Sequence, residues 1–140
     1  AQEKGTELTY RMEENCRVPA TKGEVYQVIY NLTDNAVKYS GKNGKVRVEL
    51  RHEDHDVVLT VADNGPGIPE EDLPRVFQRF YRAPAARDGE GVGIGLYLVR
   101  QIAAGQGGYV KVSSQRGRGS TFSLFLPREG AAASERIFRN

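Results

Sequence analysis

The 140-residue chain lacks several features that would assign it to a class at once. Cys16 is its single cysteine, which excludes an internal disulfide and a metal site built from several cysteines. The formal net charge is only +2 and the basic residues are spread along the chain, so nucleic acid is not expected as a partner. No apolar run approaches the ~20 residues that a membrane-spanning helix needs. The composition, 39% hydrophobic and 27% charged, is typical of one soluble globular domain.

The two ends of the chain lead to separate expectations. The chain begins with Ala1 rather than with methionine, and we expect it to be a piece of a longer protein. Residues 128–140 show no apolar periodicity, which predicts a disordered tail behind a domain of residues 1–127.

The order of the predicted elements indicates the fold class. Alternating apolar and polar residues predict strands at residues 6–12, 45–51 and 121–126, and further strands are predicted at the apolar stretch 57–62 and at 109–113. A capping box of Thr21 and Glu24 starts a long helix that ends before Gly41, and shorter helices follow from about residue 70 and over residues 96–104. Because most strands fall in hairpins, the order predicts an α/β (α+β) two-layer sandwich. Its sheet would be mixed and mostly antiparallel, with about five strands backed by three helices.

One face of the long helix has an unusual set of polar residues. At about 100° per residue, Asn31, Asn35 and Lys38 fall within a narrow wedge, with Tyr39 beside them. The opposite wedge contains the apolar residues expected to face the core, namely Val25, Val28, Ile29, Leu32, Ala36 and Val37. Neutral amides with one cation are suited to a metal ion and phosphate oxygens.

Three glycines, Gly91, Gly93 and Gly95, precede the last predicted helix. The start of a helix presents unpaired N–H groups and a partial positive charge, and both favour phosphate. The spacing matches neither the dinucleotide fingerprint nor a Walker P-loop, since no Gly-Lys-Ser/Thr follows. Two interpretations stay open: a phosphate site, or a tight turn in front of a helix.

Asp63 ends an apolar strand and opens the turn DNGPG at residues 63–67. Its carboxylate can accept a hydrogen bond from an exocyclic amine such as that of adenine. Gly65 and Gly67 would keep the surroundings free of side chains. The alternative is that Asp-Asn-Gly forms only a turn, for which it is a common sequence.

Arg79 and Arg82 lie in the segment FQRFYR at residues 77–82, before a stretch without periodicity that predicts a mobile loop. Their guanidinium groups could reach phosphates while the aromatic residues hold the segment in place. The alternative is the end of a surface helix with Phe77 and Phe80 packed inward.

Taken in chain order, these segments resemble the five sequence boxes of the sensor histidine kinase ATP-binding domain, a member of the GHKL superfamily. The matching segments are residues 31–40 (N box), 63–68 (G1 box), 77–82 (F box), 91–96 (G2 box) and 117–122 (the final G3 element). Each motif is common alone, whereas five in this order are specific. Together they cover the chain from about residue 20 to residue 127.

The resemblance implies the Bergerat (GHKL) fold, with ATP between helices and a flexible lid at about residues 83–90. It implies that Asn35 coordinates Mg²⁺ with Asn31 close by, and that Lys38 contacts phosphate oxygens. Tyr39 would line the nucleotide, and Arg79 or Arg82 would approach the γ-phosphate.

The resemblance also assigns the adenine end of the site. Asp63 would bind the adenine amine directly and through water, with Thr121 assisting. The other box residues expected to bind the nucleotide are Gly65, Gly67, Ile68, Gly91, Gly93, Gly95 and Leu96.

Asn31 discriminates among members of the superfamily. Gyrase, Hsp90, MutL-type members and the anti-sigma kinases have a glutamate four residues before the metal-binding asparagine, and that glutamate acts as a base. Here the position is Asn31, and an amide cannot accept a proton at neutral pH. The resemblance therefore favours phosphoryl transfer over dedicated ATP hydrolysis.

The family's phosphoacceptor histidine lies on a separate helical dimerisation domain, in the motif His-Glu-x-x-x-Pro. His52-Glu53 has no proline at that spacing, so this chain is expected to bind ATP·Mg²⁺ without phosphorylating itself. The expected partners are the helical domain of the same protein and, indirectly, a response regulator, and the isolated domain is expected to be monomeric. By family analogy, the parent would lie in a bacterial inner membrane with this domain in the cytoplasm. The alternative function is a pseudokinase that binds nucleotide for regulation without phosphotransfer.

Overall fold

The computed structural model describes residues 5–14, 16–18, 20–40, 43–53, 55–78 and 95–128, with Tyr39 described by its backbone alone. In chain order the elements are β1 (Glu7–Met12), α1 (Lys22–Ser40), β2 (Lys45–His52), β3 (Asp56–Asp63), a 3₁₀ helix (Glu70–Arg75), α2 (Gly95–Gly105), β4 (Tyr109–Gln115) and β5 (Gly119–Pro127). Within those ranges, five strands and three helices confirm the predicted α/β fold class. The predicted tail, beyond Arg128, lies outside the described residues and stays a prediction.

The five strands form one mixed sheet in the order β1-β2-β3-β5-β4. β1 runs parallel to β2, and the other three neighbouring pairs are antiparallel. The parallel pair requires a crossover connection, which α1 supplies. The hairpins β2–β3 and β4–β5 confirm the predicted mostly antiparallel sheet.

The long helix begins at the predicted capping box. The Glu24 N–H donates to the Thr21 hydroxyl oxygen at 3.1 Å, and the Thr21 N–H donates to Glu24 Oε1 at 3.0 Å. This reciprocal pair satisfies two N–H groups at the helix start. The last helical residue, Ser40, donates its hydroxyl to the Val37 carbonyl at 3.1 Å.

The core lies between one face of the sheet and the two α-helices. Val28, Leu32 and Ala36 of α1 are buried there, as the apolar wedge predicts, while Val25, Ile29 and Val37 are partly buried around them. The other buried residues of this cluster include Val99 and Ala103 of α2 and Val46, Val48, Leu59, Val61, Phe122 and Leu124 of the sheet. The helices are thereby held over the strands that end at the site described below.

The segment after β3 differs from the prediction in its helix type. Proline ordinarily breaks an α-helix, but Pro74 lies inside this six-residue 3₁₀ helix. A helix this short contains few intrahelical hydrogen bonds, so the lack of an N–H group in proline destabilises it little. Just beyond it, the Phe77 ring packs edge-on against Phe122 with centroids 5.9 Å apart. The inward packing of Phe77 that we gave as an alternative is thus observed.

No helix in the described part of the chain is both long and apolar enough to cross a membrane.

Candidate functional site

Three chain segments meet at one end of the sandwich. Asp63, the last residue of β3, pairs with Val46 near the start of β2, and β2 follows directly after the C-terminal end of α1. The end of β3 and the end of α1 therefore lie on the same side. The first residues of β5 lie there as well, because Ser120 pairs with Asp63 on its other side.

The two α-helices run antiparallel, which brings the start of α2 to the same end. Gln106 Nε2, just after α2, donates to Glu24 Oε1 in the first turn of α1 at 3.3 Å. At the other end, a β-carbon on Gly95 would lie 3.5 Å from Asn31 Oδ1. The N-terminus of α2 thus lies against the middle of α1, beside Asn31.

Asn31 lies at this junction, and Asn35 follows about one turn later on the same face of α1. Both side chains are half-buried, and both Nδ2 atoms are buried without a hydrogen-bond partner among the described residues. At 1.5 Å per residue, Asn35 lies ~6 Å and Lys38 ~10 Å beyond Asn31 along the axis. Because α2 runs antiparallel to α1, Asn35 and Lys38 lie beyond the N-terminal end of α2. The peptide N–H groups in the first turn of α2 lack helical partners. Since an unpaired buried amide costs about 1–3 kcal/mol, this arrangement is expected of a ligand site rather than of a structural contact.

The Asp63 carboxyl group is buried at the β3 end of the same region. The residue is 9% exposed, and its Oδ1 accepts the N–H of Gly65 at 2.8 Å. Burial raises the pKa of Asp63 above its ordinary value, and hydrogen bonds from the backbone of Gly65 and Ser120 oppose that rise. A carboxylate kept this dry, with acceptor positions left over, is suited to an N–H donor of a ligand.

The turn after Asp63 packs against the β4–β5 turn. A β-carbon on Gly67, which has φ +83°, would lie 2.5 Å from the Gln115 carbonyl oxygen. The Gly117 N–H donates to the Pro66 carbonyl at 2.8 Å. Position 67 requires glycine because the two backbones approach each other closely there. The sequence analysis gave a different reason, namely that glycine would keep the surroundings of Asp63 free of side chains.

Comparison with known proteins assigns this chain and its fold to a family. Residues 21–130 match the model of the family described as histidine kinase-, DNA gyrase B- and HSP90-like ATPase. The chain belongs to this family.

Its relatives are sensor kinases. The adaptive-response sensory kinase SasA of Synechococcus sp. (strain JA-2-3B'a(2-13)) is 41% identical over 105 residues, which are 74% of this chain and 28% of SasA. The mycobacterial sensor histidine kinase MprB superposes with a TM-score of 0.81 at 29% identity, over 91% of this chain and 87% of that chain. Full-length ShkA, solved in complex with AMPPNP, superposes with a TM-score of 0.79 at 30% identity, over 94% of this chain and 28% of that chain. The chain is the catalytic ATP-binding domain of a sensor histidine kinase, and it spans under a third of the length of SasA.

In this histidine kinase domain, Lys38 has a partner that the sequence analysis missed. Lys38 Nζ lies 3.0 Å from Asp34 Oδ2, and both side chains are about one-third exposed. The pair has i,i+4 spacing, a local signal that is readable in the sequence. An exposed pair of this kind contributes little to stability, so it orients Lys38 without fixing it.

Thr121 and Ser120 differ in their relation to Asp63. Thr121 pairs with Ala62, and only Ser120 among the residues of β5 pairs with Asp63. Successive strand residues point to opposite faces of a sheet, so Ser120 shares the helix-covered face with Asp63 and Thr121 lies on the other face. Ser120 is also buried, which the sequence analysis did not single out.

The remaining predicted site residues divide into two groups. Gly65 and Ile68 are buried in the turn after Asp63, and Leu96 packs against the core from the first turn of α2. Residues outside the described part of the chain are Arg79, Arg82, Gly91, Gly93, the predicted lid at 83–90 and the side chain of Tyr39. Their assigned roles stay predictions.

The raised pKa of Asp63 leads to a testable pH dependence. A carboxyl group whose pKa is raised by folding stabilises the fold below its ordinary value of 3.8 and loses that contribution as the pH rises through its folded value. Relative to Asp63→Asn, the wild-type melting temperature should therefore fall across this window and then level off. Thermal melts of both proteins without nucleotide, from about pH 3 to about pH 7, give the difference between their melting temperatures. The contributions of the other carboxyl groups cancel in this difference. A difference that stays flat or rises would contradict the assignment.

Proposed function

We propose that this domain binds ATP together with Mg²⁺ and transfers the γ-phosphate to a histidine on a helical dimerisation domain of the same protein. The observation that supports this best is that the Nδ2 atoms of Asn31 and Asn35 are buried without a hydrogen-bond partner among the described residues, with Asn31 beside the N-terminus of α2. A polyphosphate placed there would meet amide N–H donors, the peptide N–H groups of α2 and the Lys38 ammonium group. Asp63, at the same end, would accept a hydrogen bond from the exocyclic amine of adenine.

The donor set fits Mg²⁺ as a cation shared with phosphate. Within the described ranges, no group of three His, Cys, Asp or Glu side chains could hold a metal ion. Asn35 Oδ1 is a hard oxygen ligand, and Mg²⁺ commonly takes one or two protein oxygens and completes its shell with phosphate and water. When bound, Mg²⁺ would neutralise charge on the phosphates.

Asn31 supports phosphotransfer over hydrolysis. Its amide lies against Gly95 at the start of α2, and it cannot take a proton from water. The nearby carboxylate of Asp34 is ion-paired with Lys38. The protein would therefore contribute positioning and charge neutralisation, which is what phosphoryl transfer requires, while the histidine supplies the nucleophile.

The relatives extend this proposal to the whole protein. Full-length ShkA was solved with AMPPNP, an ATP analogue, and this chain superposes on 28% of ShkA. We therefore propose a parent sensor kinase with a helical phosphoacceptor domain and, downstream, a response regulator. In this proposal the domain faces the bacterial cytoplasm, the parent is held in the inner membrane, and the isolated domain is monomeric.

The first test is a thermal shift with ATP and Mg²⁺. At about 100-fold excess over Kd, binding adds about 2.7 kcal/mol, or roughly 10 °C in melting temperature for a domain of this size. Asn35→Ala should abolish most of the shift while melting at or above the wild-type temperature without nucleotide, because it removes a buried amide nitrogen that has no hydrogen-bond partner in the described part of the chain. Gln27→Ala, which removes an exposed amide from the same helix, is the matched control and should respond as wild type does.

The second test adds the helical domain of the parent in trans with labelled ATP. Acid-labile, base-stable label on that domain is expected only when both domains are present. ATP binding without any transfer would instead favour the regulatory pseudokinase. Label retained by this chain alone would contradict its assignment as the donor domain.

A further inference from the structure

Ser114 on β4 lies outside all five sequence boxes, yet its hydroxyl group joins the two turns that flank Asp63. The Ile68 N–H, at the end of the turn after Asp63, donates to Ser114 Oγ at 2.7 Å. Ser114 Oγ donates to the Gly119 carbonyl at 3.1 Å and lies 2.9 Å from Ser120 Oγ. One hydroxyl therefore contacts the residues that follow Asp63 and the residues that pair with it.

The three contacts can all be hydrogen bonds in one arrangement only. Ser114 has a single hydroxyl proton, and the Gly119 carbonyl has none, so Ser114 must donate to Gly119. Ser120 then donates its own proton to Ser114 Oγ, which also accepts the Ile68 N–H. In this arrangement Ser114 uses its full hydrogen-bonding capacity, and the Ser120 hydroxyl proton is not directed at Asp63.

Both turns are in tight backbone contact where Ser114 joins them. A β-carbon on Gly119 would overlap the Asp63 carbonyl oxygen, and one on Gly67 would overlap the Gln115 carbonyl oxygen. Such interlocked backbones leave Asp63 little freedom, provided that the turns stay together. The Ser114 hydroxyl is the side-chain group that ties Ile68 in one turn to Gly119 in the other.

We propose that Ser114 is a positioning residue that sets the Asp63 carboxylate for the 6-amino group of a purine. The proposal rests on the proposed ATP site and states which group of the ligand is recognised with the help of Ser114. Removing the hydroxyl leaves the buried Ile68 N–H without its partner, and the turn must shift to regain one. Because Gly65 in that turn donates to Asp63 Oδ1, the shift moves the carboxylate as well.

The test measures the affinity of the whole 140-residue chain for two nucleotides by calorimetry. These are ATP and purine riboside triphosphate, which lacks the 6-amino group, each with Mg²⁺. Wild type should prefer ATP by about tenfold or more, since the amine bonds a charged group. Ser114→Ala should weaken ATP by about five- to tenfold and the analogue by less than about twofold, so that the preference largely disappears.

Three further variants separate positioning from loss of structure. Ser114→Thr keeps the hydroxyl and should restore the wild-type preference. Ser114→Cys is nearly isosteric but bonds weakly, so it should lose the preference even if the alanine variant folds poorly. Ser113→Ala, which removes an exposed hydroxyl from the neighbouring position on the opposite face, should behave as wild type does.

The outcomes separate this inference from the proposed function. If the Ser114 variants weaken both nucleotides by one common factor, or weaken neither, the positioning role is wrong while the ATP site stands. If wild type binds neither nucleotide, the proposed function itself fails, and the inference fails with it.

Discussion

Asp63→Ala should weaken ATP binding by about 10- to 150-fold, the loss expected for a hydrogen bond to a charged group. The carboxylate is buried and already accepts one backbone N–H, so its remaining acceptor positions define what the pocket can receive. Alanine removes these positions, and water cannot easily replace them at a residue that is 9% exposed. The ATP-induced rise in melting temperature should accordingly shrink or vanish.

Asp56 provides the matched control for this prediction. It is the first residue of β3, whereas Asp63 is the last, and it is buried to a similar degree. Asp56→Ala should lower the melting temperature without nucleotide but preserve the ATP-induced shift. If both variants lose the shift equally, the effect comes from damage to β3, and the adenine assignment of Asp63 is wrong.

Gly119→Ala should lower the free energy of unfolding by about 3 kcal/mol or more. At φ +114° an L-residue is strained, and the added β-carbon would overlap the backbone of Asp63, which belongs to a central strand. Backbone atoms cannot give way as the end of a flexible side chain does. The turn would have to open, and the pairing of Asp63 with Ser120 would be lost with it.

Gly117→Ala separates conformational strain from overlap in the same turn. Gly117 also has positive φ, +78°, but a β-carbon there meets nothing within 4 Å. Its substitution should cost only the left-handed penalty, about 1–2 kcal/mol. Urea denaturation of both variants measures the difference, and equal losses would show that the close approach to Asp63 is not limiting.

Local patterns predict most of the elements of this fold. The Thr21–Glu24 capping box places the start of α1, and short alternating or apolar stretches place each strand within a few residues. The strand order could not be obtained in this way, because it depends on which strands pair over long distances. The parallel pairing of β1 with β2 and the insertion of β5 beside β3 have no local signature.

The same division applies to the candidate site. Helical periodicity puts Asn31 and Asn35 on one face, but the contact of Asn31 with Gly95 depends on where α2 packs, which no local pattern states. Ser114 and Ser120 resemble ordinary strand serines until β4, β5 and β3 are assembled side by side. The resemblance names Thr121, which lies on the opposite face of β5 from Ser120 and Asp63, and its assisting role stays a prediction.

The sheet order has a consequence for how the protein is made. β5 is the last strand of the described chain, yet it is inserted between β3 and β4, and Ser120 at its start pairs with Asp63. A polypeptide still on the ribosome can form the β2–β3 hairpin and α1 long before β5 has been synthesised. A product truncated before β5 would retain Asn31 and Asn35 but would lack the strand that pairs with Asp63. If the proposed ATP site is correct, premature termination before β5 should therefore yield fragments that do not bind ATP.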